Sequence, residues 1–483
     1  MADPDSQLDK GPLHASTKLE KRKDVKDSIS SPCYEVDSSQ TKTTHPIKHS
    51  DQKLQSRISG QLSWLDDDID DEDLYYSNFH WEGRPSDLSL VTRLCGLRKL
   101  NLSGRGLKEL HSDLLGNCDE IEELNLSNNP LTHSDLRCMR HMPSLKKLDL
   151  SGCGLKELHP DFLKYCYERE ELNLSNNPFT HLDLHLITRM YSLKRLNLSG
   201  CALKELNLSF LQLCDRMEDL NLSNNSLTCS DLSCIRRMHS LKKLDLSGCG
   251  LKELHPDFLL NCDKIEELNI SNNPLALGPT PIGTIFILKK LDLSRCSLKK
   301  LNLSFLQMCD IIEDLNVSRN SLTPSDLRYI THMRSLKKLD LSGCDLKELN
   351  PSFLQMRDRI ENLNLSNNPL THSDLFLMCH MRSLKKLDVS GCGLREIPCD
   401  LRIFLYLQEL NLSYNFFDQQ NLLEKLNSEK NFSFDEKELF KLKCIDLSRP
   451  SRIIFEDAIY TKSSEVWTMK AREDAALTSA FKM

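Results

Sequence analysis

The chain has 483 residues, a hydrophobic fraction of 39%, 6% aromatics and a formal charge of −7. Seven of the eight residues from Asp66 to Asp73 are carboxylates, which accounts for the whole imbalance. The remainder is near neutral, which argues against a nucleic-acid binder held by a basic footprint. No run of eighteen apolar residues predicts a membrane span. The start, MADPDSQLDKG, carries no secretory pattern.

In chain order, residues 1–60 mix Ser, Thr, Lys, His and Asp without periodicity and are expected to be a disordered amino-terminal segment. Residues 61–96 hold the acidic run and, from 74, a degenerate capping repeat. Shifting Ser134-Asp135-Leu136 back by 48 lands on Ser86-Asp87-Leu88, with Trp81 as packing bulk.

From residue 97 to 420 two phrases alternate. LKKLDLSGCGLKELHPDFL begins at Leu145 and Leu241, with variants at Leu193, Leu288, Leu336 and Leu384. IEELNLSNNPLTHSDL begins at Ile121, with variants near Glu170, Met217, Ile265, Ile312 and Ile360. Their central leucines run from Leu100 to Leu410, fourteen repeats spaced by 24 apart from two spacings of 23, so the full period is 48. In each, alternating apolar residues such as Leu100 and Leu102 predict a short strand with one buried face. The half that follows, as in HPDFLKYC from His159, has Pro at a first helical position and apolar residues three or four apart. It predicts a short helix or a turn of one.

Every phrase fits L-x-x-L-x-L-x-x-N/C-x-L, and in this the chain resembles the leucine-rich-repeat family over about residues 74–450. The resemblance implies an α/β solenoid: a curved horseshoe with a parallel inner sheet, roughly 60 Å long at about 4.8 Å per strand, and short outer helices. It is the type without cysteine-rich flanking caps, which implies an intracellular protein. Residues 421–450 are expected to be a worn carboxy-terminal cap in which Leu442 to Leu447 restores the strand pattern. Residues 451–483 are a tail, weakly helical at most.

The N/C position alternates: Asn129, Asn177, Asn225, Asn273, Asn320, Asn368 and Asn415 against Cys153, Cys201, Cys249, Cys296, Cys344 and Cys392, with Arg105 in the first repeat. An amide that donates and accepts suits a sharp buried turn, and a thiol is a compact filler, so both columns are expected to be a structural ladder. Cys118, Cys166, Cys214, Cys262 and Cys309 form a second thiol column beneath the outer helices. Columns a whole repeat apart offer no paired metal ligands, and Cys138 with His141 is one half-motif without a second. No metal, cofactor or catalytic constellation is expected, and Gly278-x4-Gly283 lacks the lysine of a phosphate loop.

Before the central leucine one repeat type is basic (Lys146-Lys147, Lys242-Lys243) and the other mostly acidic (Glu122-Glu123, Glu266-Glu267), followed by an Asn/Asp row from Asn101 to Asn411. Two readings stand: lateral ion pairs that hold strand register, and a charge-striped docking face. Specificity is expected where the pattern breaks. Arg295 and Arg319 replace Gly or Asn beside Lys290 and Lys338, Asn362 and Gln408 replace acids, and Tyr414 and Phe416 take small exposed positions. The aromatic pair reads either as partner anchors or as packing against the cap. Residues 274–283 break the S-D-L helix start and read as an irregularity of the outer surface.

The expected function is therefore non-enzymatic: a cytoplasmic scaffold that binds a protein partner through its concave face in signal transduction. The alternative implied by the resemblance is a regulatory segment of the kind fused to GTPase or nucleotide-binding domains. An enzyme is the weakest reading.

Overall fold

The computed structural model divides the chain into two compact units, residues 1–68 and 69–483. It describes residues 98–110, 119–159, 168–179, 190–206, 216–255, 257–275, 287–299, 311–395 and 407–416, the isolated Phe162 and Ile187, and the backbone of three strands between 452 and 471. The expectations for residues 1–96, Leu442 to Leu447 and residues 276–283 lie outside the described residues.

Fourteen three-residue strands follow one another at the repeat spacing: β1 Lys99–Asn101, β2 Glu123–Asn125, β3 Lys147–Asp149, β4 Glu171–Asn173, β5 Arg195–Asn197, β6 Asp219–Asn221 and β7 Lys243–Asp245. Then come β8 Glu267–Asn269, β9 Lys290–Asp292, β10 Asp314–Asn316, β11 Lys338–Asp340, β12 Asn362–Asn364, β13 Lys386–Asp388 and β14 Glu409–Asn411. Each is parallel to the next, with the central leucines in register, as in Leu100↔Leu124 and Leu315↔Leu339. Parallel neighbours joined by a return segment make one coil of a solenoid per repeat. Where the chain shortens by one residue, between β8 and β9, Leu268 still pairs with Leu291.

The core is a leucine stack. Leu148 and Leu150, Leu244 and Leu246, and their equivalents are at most 6% exposed in every coil. At about 1.5–3 kcal/mol per buried leucine, the column in each coil is stabilised only because the coils above and below cover it.

The described return segments are the short helices or single turns that the sequence predicts. Among the described residues α1 (Leu327–Ile330), α2 (His372–Met378) and the isolated Ile187 are α-helical, while Asp135–His141, Asp231–Arg237 and Pro351–Met356 are 3-10 turns. A return path of seven residues or fewer has little length over which to offset helix nucleation, so the tighter turn suffices. The expected proline at a first helical position is present at Pro351, capped by Asn350, whose Oδ1 accepts from the Ser352 amide at 2.9 Å.

The carboxy-terminal tail differs more. In place of weak helix, Arg452–Ile454 (β15) pairs in parallel with β14, and Ala458–Ser463 (β16) and Val466–Ala471 (β17) close the sheet as an antiparallel hairpin. The strands are rich in β-branched and aromatic residues, such as Ile459-Tyr460-Thr461 and Val466-Trp467-Thr468, which favour strand over helix.

Candidate functional site

The turn after each strand is held by the two predicted ladder columns. Asn225 is typical. Its Oδ1 accepts from the amides of Cys201 (3.1 Å) and Leu203 (2.9 Å), one coil back, and its Nδ2 donates to the carbonyls of Leu198 (2.9 Å) and Leu222 (2.8 Å). Asn129, Asn320, Asn368 and Asn415 repeat the pattern, and at Asn177 and Asn273 the Oδ1 accepts from the leucine amide.

The thiols do less. Cys153, Cys201, Cys249, Cys296, Cys344 and Cys392 each donate Sγ–H to the carbonyl two residues past the preceding coil's central leucine or its equivalent, as in Cys249 to Leu222 at 3.2 Å. Burial pushes the thiols of Cys201, Cys249, Cys296, Cys344 and Cys392 up to about 11. Cys262, of the second column, donates to Ile235 O at 3.3 Å and is pushed up to about 12. A thiol held protonated and buried is a poor nucleophile and a poor metal ligand. Among the described residues no three His, Cys, Asp or Glu side chains are gathered to hold a metal.

On the sheet face turned away from the leucines, the charged columns pair laterally. Before each strand, Lys146 meets Glu122 at 2.9 Å, Lys194 meets Glu170 at 3.0 Å, Lys242 meets Glu218 at 2.8 Å and Lys337 meets Glu313 at 2.8 Å. Each pair runs from a basic coil to the acidic coil before it. At the first strand position the links are shared. Glu171 bridges Lys147 and Arg195, and Glu267 bridges Lys243 (3.2 Å) and Lys290 (3.1 Å). Hydrogen bonds from Lys146, Lys242 and Lys337 hold the carboxyls of Glu122, Glu218 and Glu313 below their ordinary range. At Asp219 burial dominates and pushes the carboxyl up.

The third strand position changes the balance. The first position carries seven cations and six carboxylates, whereas the third adds five carboxylates and no cation. Asp149, Asp245, Asp292, Asp340 and Asp388 are satisfied by dipoles alone. In Asp292, for example, Oδ1 accepts from the Ser294 amide at 2.8 Å and Oδ2 from Asn316 Nδ2 at 3.0 Å. The strands themselves therefore present an acidic face, and the stripe cancels only in the columns before it. Three troughs of about 470, 420 and 250 Å³ run along this face, over β1–β6, β6–β10 and β10–β14.

The pattern breaks separate into two places. Lys290 and Lys338 stand at the entry of β9 and β11 and are neutralised by Glu267 and Asp314 (3.5 Å). Arg295 lies five residues beyond Lys290, past the end of β9 and in the turn that follows it. The structure thus brings Arg295 together with Arg319, in consecutive coils, and not with the two lysines.

Both arginines occupy a column in which all fourteen coils have positive φ. Six coils use Gly there and five use Asn; the exceptions are Arg295 (φ 54°), Arg319 (φ 55°) and Tyr414 (φ 57°). Asn362 is half-buried between Lys338 and Lys386, where the other acidic coils place a carboxylate. Tyr414 and Phe416 are 64% and 70% exposed, and the Arg395 guanidinium lies 5.8 Å from the Phe416 ring centre.

A family model described as "Leucine rich repeat" matches residues 95–155, 287–346 and 334–394, and a second of the same description matches 240–262. The chain is a leucine-rich-repeat protein. No curated protein matches it. Among solved structures, a leucine-rich-repeat protein of Leptospira interrogans is similar at 22% identity and a TM-score of 0.55, covering 77% of this chain and 98% of that one. Mouse RP105, in complex with MD-1, is 21% identical with a TM-score of 0.56, covering 71% and 60%. TLR13, in complex with a single-stranded RNA, is 21% identical with a TM-score of 0.53, covering 68% and 56%. At these identities the likeness concerns the fold. The repeat architecture is that of a binding scaffold, and no catalytic family is indicated.

Two features of this leucine-rich-repeat frame escape pattern reading. Arg169 stands in the apolar column of Ile121 and Met217, is 1% exposed, lies with its guanidinium 5.0 Å from the Phe162 ring centre and reaches Met139 O at 3.5 Å. Aligning that column residue by residue would have exposed it. The aspartate of the S-D-L helix start caps its own turn and also staples the previous coil. Asp374 Oδ2 accepts from the Thr371 amide at 2.7 Å and Oδ1 from the Leu349 amide at 2.6 Å. Asp135 does the same for Leu110 at 3.0 Å. No helix among the described residues is long and apolar enough to cross a membrane.

Proposed function

We propose that this protein is a non-enzymatic scaffold that binds a protein partner on the inner face of its sheet, in the cytoplasm and within a signalling pathway. One observation carries the reading. The leucines and the Asn/Cys ladder are spent on the frame, while the sheet presents to solvent an ordered field of ion pairs and Asn/Asp dipoles along fourteen strands. Such a preorganised polar face selects a complementary surface at low ordering cost. Its acidic strand columns favour a partner with basic character over a polyanion. Thiols raised by burial suit a reducing compartment, where no disulfide framework is required.

A photo-crosslinking residue placed singly at Asn197, Asn221 or Asn269 on the inner face, or at Phe376 on α2 as an outer control, tests this in cells. The inner-face positions should trap one common protein that the control does not. Trapping only from Phe376 would place the partner on the outer side and end the reading.

A further inference from the structure

We infer that Arg295 and Arg319 form a paired-guanidinium seat for a phosphorylated segment of a partner protein, a refinement that rests on the protein-binding reading above. The two residues are neighbours across the sheet. The Arg295 amide donates to Ser318 O at 2.9 Å and the Arg319 amide to Ser342 O at 2.7 Å, which keeps consecutive coils at strand spacing, about 5 Å. Both side chains are exposed. The stem of Arg319 lies over Gly343, where a β-carbon would stand 3.4 Å from its Cγ, so the next coil leaves room for it.

Their electrostatic situation is unlike that of the strand cations. Each of the twelve Lys and Arg residues of the charge ladder from Lys146 to Lys386 holds a carboxylate of a neighbouring coil. Arg295 and Arg319 hold none, and neither guanidinium has a hydrogen-bond partner among the described residues. Both also sit at positive φ, a conformation that the other coils, Tyr414 apart, assign to Gly or Asn. A bulky L-residue is strained there. Two adjacent coils thus keep a strained backbone to display two charges for which the frame has no use, and such an outlier points to a function outside the frame.

The chemistry of the pair selects the ligand. A carboxylate brings one charge and two oxygens to such a pair, whereas a phosphomonoester carries nearly two charges and three terminal oxygens and gains more from two forks at once. Two forks rooted about 5 Å apart on a rigid sheet edge converge on one tetrahedral anion. The carboxylate nearest along these strands, Asp292, is taken up by the Ser294 amide and Asn316 Nδ2, and Glu267 and Asp314 are engaged by Lys290 and Lys338 at the strand entry.

The test uses the full chain and fluorescein-labelled degenerate peptide pools with a fixed central phosphoserine, serine or glutamate, read by anisotropy. The phosphoserine pool is expected to bind about tenfold or more tightly than the other two. The double variant Arg295→Gly with Arg319→Asn, which restores the residues of neighbouring coils, should lose that preference and melt no earlier than the parent. Arg295→Gln with Arg319→Gln, which keeps the stems without charge, should lose it as well. Equal binding of the serine pool, equal binding of the glutamate pool, or an unchanged preference in either variant would overturn the inference. Earlier melting of the Gly/Asn variant would assign the arginines to the frame and overturn it too. Failure of the inner-face crosslinks leaves this phosphoserine measurement intact, so the two readings fail separately.

Discussion

The stretch from β2 to β5 and the stretch from β9 to β13 are built from the same phrases, yet they treat charge differently. In the first, Glu123, Lys147, Glu171 and Arg195 form one continuous chain of shared ion pairs, and the turn column is plain Asn and Gly. In the second, Asn362 interrupts the chain between Lys338 and Lys386, and the turn column admits two unpaired arginines. The buried ladder is the same in both. A solenoid holds its frame positions constant because every coil must fit two neighbours, and leaves specificity to solvent-facing positions that touch none of the frame bonds.

That contrast breaks first at the ladder. Replacing Asn225 with alanine strands two carbonyls and two amides in a buried turn, with an expected loss on the order of 3–5 kcal/mol in chemical denaturation. Cys249→Ala removes one weak donor and a small volume, and should cost about 1 kcal/mol. Equal losses at the two sites would refute the division of labour between the columns. Next in size is the staple. Asp374→Ala removes the turn cap and the bond to Leu349, and should cost about 1–2 kcal/mol, whereas Asp263→Ala at an exposed position should cost nothing measurable.

Smaller and opposite in sign is the turn column. Arg295→Gly should raise stability by a few tenths to about 1 kcal/mol, since relief of the left-handed strain exceeds the added chain entropy of glycine. The corresponding change of a strand cation, Lys147→Gly, should lower it. The smallest effect is the pH dependence of the exposed ladder. Glu122, Glu218 and Glu313 have lowered carboxyl pKa values, so their stabilisation is fully present above the unfolded value, near 4.3, and is lost as pH falls through the lower folded value. Gln at all three positions should flatten the melting profile below about pH 5 and weaken its salt dependence. An unchanged acid limb would show that these pairs contribute nothing to stability.

Much of this was legible residue by residue. Leu100 to Leu410 name the strands, and the Asn/Cys alternation names the ladder, because a buried column must repeat wherever coils stack. The break at Arg295 and Arg319 was also visible. Its partners were not: Lys290 seemed adjacent in the phrase, but an extended strand carries it to the opposite end, against Glu267. Arg169 hid in an apolar column, and β15 formed in a segment without the leucine phrase.

The repeating sequence by itself determined the coil, its period and its core, since leucines at a fixed interval are buried only by stacking. Tertiary structure alone decided which coil each lysine turns toward, that the strand face is acidic once the Asp row is counted, and that one column runs at positive φ throughout. These depend on distances between residues 24 apart and on the sign of a backbone angle, and an alphabet of residue types records neither.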